Sequence, residues 1–142
     1  MRGRERWGDR RSGNAVEVRV AARLDNLAVL RTVAAAIGAF ARLDDAGVAD
    51  LRLAVDEACT YLISVAPPDA PLTVVIDPTE ADLAVEVSVP GDDEHSLSPG
   101  SFSWYVLSSL ADHVEPFRDG DDAADPDWLM GIRLTTRRVH HD

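Results

Sequence analysis

Arg31 has the clearest chemical surroundings of any side chain in this 142-residue sequence. It sits in an apolar-periodic stretch, roughly 120° around the helical wheel from the apolar centre. Ala28, Ala35 and Gly38 share its side. A planar guanidinium on a flat strip of small side chains suits docking of a protein partner, because the fork can make paired, charge-assisted hydrogen bonds. The plainer reading is an ordinary surface arginine. A second group lies in the segment 50–65, DLRLAVDEACTYLISV. Residues four apart share a helix face, so Glu57 and Tyr61 stand together, with Thr60 next to Tyr61. Taken alone, Glu57 reads as a solvated helix carboxylate and Tyr61 as core filler with its hydroxyl at the rim.

Other chemistries are poorly supported. Cys59 is the single cysteine, so no intramolecular disulfide forms, and its place in an apolar stripe points to a buried, inert thiol. His95 and His113 lack metal-ligand spacing, and His140 and His141 sit at the terminus, so no metal site is expected. No glycine-rich turn joins a first strand to a helix, which removes Rossmann and P-loop signals. The net charge of −11 makes the chain a poor nucleic-acid binder. Residues 1–14 nevertheless hold five arginines, and residues 119–127 hold five aspartates. These read as a solvated arm and a solvated loop, or as an acidic body that steers toward a basic protein. No apolar run is long enough to span a membrane, and the first residues do not form a secretory signal, so a cytoplasmic protein is expected.

Periodicity supplies the elements that must position these residues. Residues 16–23 alternate as a strand, with Val16, Val18 and Val20 facing inward. Asp25 offers an N-cap to a helix over 26–42, whose apolar side is Leu27, Leu30, Val33, Ala34, Ile37 and Phe40. A second helix covers about 45–66, with Val48, Leu51, Val55, Ala58, Cys59, Leu62 and Ala66 as its core stripe, and Pro67-Pro68 ends it. Strands at 72–77 and 83–89 flank a hairpin turn. A polar loop at 90–100 precedes a third helix over about 101–114, with Trp104, Leu107, Leu110, Ala111 and Val114 on one face. A short strand at 115–118 and a last strand at 128–137 close the chain. The order β-α-α-β-β-α-β-β predicts an α+β domain over 15–137. It should be a two-layer sandwich, with a mixed, mostly antiparallel sheet and the helices on one face. A flexible basic arm over 1–14 and a flexible tail over 138–142 are expected outside it.

The run Ala54-Val55-Asp56-Glu57-Ala58-Cys59-Thr60-Tyr61-Leu62 resembles the N-box helix of the GHKL (histidine-kinase-like) ATPases, in the form A-V-x-E-A-x-T-N-A used by the RsbW/SpoIIAB anti-sigma factors. The preceding strand and helix, the helix ending SSLADHVE and the element order are similar to the same family. The likeness covers about 15–136, and its wording is nearest the mycobacterial branch. The resemblance implies a cytoplasmic, dimeric protein that sequesters an alternative sigma factor of the sigma-B/sigma-F group and is released by an anti-anti-sigma factor. In that family, an arginine at the position of Arg31 touches both partners. Full-function members also bind ATP with Mg²⁺ and phosphorylate the anti-anti-sigma protein on serine.

The resemblance also assigns a nucleotide site, and this sequence departs from it at three places. The glutamate matching Glu57 acts as the base, and an asparagine four residues later holds Mg²⁺. Here that residue is Tyr61, a neutral phenol and a poor ligand for a hard cation. An Asp-x-Gly for adenine should follow the strand ending at Val89, where the sequence reads Val89-Pro90-Gly91-Asp92. A Gly-x-Gly whose amides cradle phosphate is reduced to Gly100-Ser101-Phe102-Ser103. Glu57, Thr60, Tyr61, Gly100, Ser101 and Ser103 are therefore the residues of a degenerate ATP or ADP site, with Glu57 a vestigial base. The alternative is an active serine kinase.

Overall fold

The computed structural model describes residues 13–91, 100–120 and 128–138. Strand β1 (Val16–Ala21) leads through one 3₁₀ turn, Leu24–Asn26, into helix α1 (Leu27–Phe40). Helix α2 (Asp45–Val65) follows, then the hairpin β2 (Pro71–Pro78) and β3 (Asp82–Pro90), helix α3 (Phe102–Leu110), β4 (His113–Asp119) and β5 (Leu129–Arg137). The sheet order is β1-β2-β3-β5-β4. Each of its four pairings is antiparallel. The expected element order, the α+β class and the two-layer arrangement all hold.

Alternation along the strands builds the core. Leu83, Val85, Val87 and Val89 of β3 join Met130, Ile132 and Leu134 of β5 on the helix side, paired in register. Leu51, Ala54, Val55, Ala58, Cys59 and Leu62 of α2 cover them. Helix α2 thus lies centrally, with its stripe as the sequence predicts. Asp44 caps it, accepting a hydrogen bond from the Gly47 N–H at 2.7 Å.

Four expectations need correction. Asp25 does not cap α1: it lies inside the 3₁₀ turn and pairs with exposed Arg23, while the Asn26 side chain donates to the Ala21 carbonyl. Phe40 is 83% exposed, because the buried line of α1 runs Leu30, Ala34, Gly38 and Phe40 turns away from it. Helix α3 stops at Leu110, not 114. The next residues are drawn into the ladder: Asp112 N–H donates to the Thr135 carbonyl, and Val114 pairs with Leu134 in β4. A buried valine satisfies either period, which is why Val114 fits a helix stripe by spacing. Finally, Arg138 belongs to the fold rather than to a tail. Its N–H donates to the Ala81 carbonyl, and its guanidinium donates to the carbonyls of Ala41 and Thr79. The rest of the tail, most of the basic arm, His95, and most of the acidic loop and of loop 90–100 lie outside the described residues.

Candidate functional site

Two neighbouring carboxylates on α2 hold the helices on either side of it. Asp56 Oδ1 accepts a hydrogen bond from Arg31 Nη2 of α1 at 2.7 Å. Glu57 Oε2 accepts one from Ser103 Oγ of α3 at 2.8 Å. Consecutive residues on a helix point about 100° apart, so one dipeptide reaches both flanks.

On the α3 side the structure brings together Glu57 and Ser103. Ser101 caps α3, its Oγ accepting the Trp104 N–H at 3.2 Å. Gly100 turns the chain with φ +91, a conformation that glycine adopts freely. Thr60 and Tyr61 lie half-buried on α2, and Tyr61 packs against the core cluster. Burial raises the Tyr61 pKa above its ordinary value, so the phenol stays protonated at neutral pH.

This arrangement does not fit a magnesium nucleotide. A neutral phenol, a poor ligand for a hard cation, stands one turn beyond Glu57. The Glu57 carboxylate is engaged by the chain's own Ser103 hydroxyl. At the end of β3, a Cβ added to Gly91 would stand 2.2 Å from the Trp128 indole. The open backbone of that glycine is therefore used by a side chain of the same molecule. Trp128 is 9% exposed, and Arg118 lies over its ring at 4.0 Å. Sequence reasoning treats Trp128 as a core anchor but gives no sign that Gly91 and Gly120 exist to receive it.

On the α1 side, Ala28 is exposed and Arg31 and Ala35 are half-buried. Gly38 is not part of an open strip. It is buried in the α1–α2 seam, where a Cβ would stand 2.9 Å from a Leu51 methyl. Small size at 38 serves helix packing. Sequence reasoning also misses Asp56 as the partner of Arg31, since residues 25 apart in sequence carry no local signal of contact.

Cys59 is fully buried on the core side of α2. Burial first, and the nearby Asp56 charge second, push its pKa from 9.0 up to about 12. The folded thiol should resist alkylation by iodoacetamide at pH 8–9 and react only after denaturation. Because the folded pKa is the higher one, the native state holds this proton more tightly than the unfolded chain. The associated stability is complete below the unfolded value and is lost as pH rises from about 9 toward 12. Rapid labelling of the native protein at pH 8 would contradict the assignment.

Residues 20–124 match the family described as the histidine kinase-like ATPase domain. The anti-sigma-F factor RsbW, from two strains of Mycobacterium tuberculosis, is 53% identical over 132 residues. That likeness covers 93% of this chain and 79% of the relative. The chain belongs to the histidine kinase-like ATPase domain family, within its RsbW group.

Proposed function

We propose that this protein is an anti-sigma factor that binds and sequesters an alternative sigma factor of the sigma-B/sigma-F group. The observation that carries the reading is the 53% identity, over nearly the whole chain, to proteins named anti-sigma-F factor. A net charge of −11 supports it, since such a body attracts a basic partner and repels nucleic acid. The test is size-exclusion chromatography of the purified chain with candidate sigma factors, followed by transcription with core polymerase. Co-elution and loss of sigma-dependent transcripts are expected; separate elution at micromolar concentrations would refute the reading. An anti-anti-sigma factor competes for the same surface and releases the sigma factor.

The protein acts by binding, without needing to transfer phosphate. Phosphoryl transfer depends on positioning and on charge neutralisation by metal and donors, and a carboxylate alone supplies little of that. ATP or ADP with Mg²⁺ is expected to give no measurable rise in melting temperature, because a ligand stabilises only in proportion to its occupancy. Labelled ATP, Mg²⁺ and the cognate anti-anti-sigma protein are expected to yield no serine phosphorylation. Phosphorylation that disappears in Glu57→Ala would reverse this conclusion.

The assembly is a homodimer. Leu24, Val29, Leu53, Phe102 and Tyr105 are each more than half exposed, apolar surface that a second copy would cover. Light scattering is expected to give twice the chain mass, and a monomer at every concentration would count against it.

A further inference from the structure

The contact between Arg31 and Asp56 bridges the seam between α1 and α2 at the surface, with the two side chains 39% and 35% exposed. An ion pair this exposed adds little to folding stability. Only one guanidinium nitrogen, Nη2, is engaged; the others find no acceptor among the described residues. On the same side of the helix stand the small side chains of Ala28 and Ala35, and the Arg31 side chain itself keeps 39% of its surface exposed. A long, unrestrained arginine loses rotamer freedom when a partner captures it. An arginine already held on one nitrogen has lost that freedom in advance.

We propose that Asp56 is a positioning residue for partner binding: it holds the Arg31 fork at the α1–α2 seam so that its free edge meets an acceptor group on the bound protein. The inference rests on the anti-sigma reading given above. It assigns to Asp56 a role in affinity that its small contribution to stability does not suggest. The carboxylate takes one N–H of Nη2 and leaves the other donors of the guanidinium, the second N–H of Nη2 among them, to meet the partner.

The experiment is a double-mutant cycle, read by calorimetry with the source organism's own sigma factor of the sigma-B/sigma-F group. Asp56→Ala is expected to weaken binding on the order of tenfold while leaving the thermal midpoint within a degree or two. Asp56→Glu should recover part of the loss. In an Arg31→Ala background, Asp56→Ala should have no further effect, since nothing remains to position. Unchanged or tighter binding by Asp56→Ala would overturn the proposal, and so would losses that simply add. If the unaltered chain forms no complex, the anti-sigma reading falls and this inference falls with it. If the unaltered chain binds and Asp56→Ala is silent, the inference alone falls.

Discussion

Replacing Arg31 with glutamate is expected to weaken sigma-factor binding by roughly thirtyfold or more, equivalent to at least about 2 kcal/mol, while the fold survives. Three effects act together. The change removes a planar donor able to make charge-assisted bonds to the partner. It replaces the cation that Asp56 now holds with a second carboxylate on the same seam, so like charges turn the new side chain outward. It also adds negative charge to a surface that must approach an acceptor. Stability is nearly untouched, because a pair this exposed contributes between zero and about 1 kcal/mol. Arg31→Ala should fall between the native chain and the reversal. Titration at two salt concentrations, alongside a circular dichroism melt, separates loss of binding from loss of fold. Unchanged affinity in both variants would mark Arg31 as ordinary surface.

Removing the indole of Trp128 should produce the largest stability loss of any single truncation near the candidate site, about 3 to 5 kcal/mol. The side chain is 9% exposed and joins the core cluster just before β5 begins. Two glycines are shaped around it. A Cβ at Gly91 would lie 2.2 Å from ring carbons, and one at Gly120 would lie 2.2 Å from the Trp128 Cβ and 2.8 Å from its Cα. Gly91→Ala and Gly120→Ala therefore force a rigid ring or the backbone itself to move, at a cost of about 1 to 3 kcal/mol each. Urea denaturation followed by circular dichroism measures all three. In the Trp128→Ala background, Gly91→Ala should cost much less, since the clash has gone. Additive costs would show that the ring does not set the constraint. Emptying this space should not create nucleotide binding, because Tyr61 and the engaged Glu57 remain.

The elements of this fold can be read from the chain because its apolar periods are clean. In β3, Leu83, Val85, Val87 and Val89 alternate with Ala84, Glu86 and Ser88, and Pro67-Pro68 punctuates the end of α2. The misreadings fall where two elements compete for the same residues. Val114 could complete a helix stripe or a strand, and the ladder to β5 decides in favour of the strand. Phe40 matches the stripe by spacing, but the close seam with α2, made possible by Gly38, sets which side of α1 is buried. At the candidate site, Glu57 and Ser103 are visible in the sequence and meet in a hydrogen bond, while Ser101 serves as the cap of α3. Asp56 and the Gly91–Trp128–Gly120 packing are not visible, because contacts between residues far apart in sequence leave no periodic trace.

The position of β5 bears on how the chain is made. This strand is the last described element to be synthesised, yet it lies inside the sheet, between β3 and β4. Until it arrives, β3 has one unpaired edge lined by valine backbone, a template for pairing with another chain. Arg138, which follows directly, then donates to the carbonyl of Ala41, 97 residues earlier. Contacts of such long separation are slow to form, because loop closure precedes the reward. A ribosome-bound chain that has exposed β1 to β4 is therefore the aggregation-sensitive species, and protection of the β3 edge is the step that completes the domain.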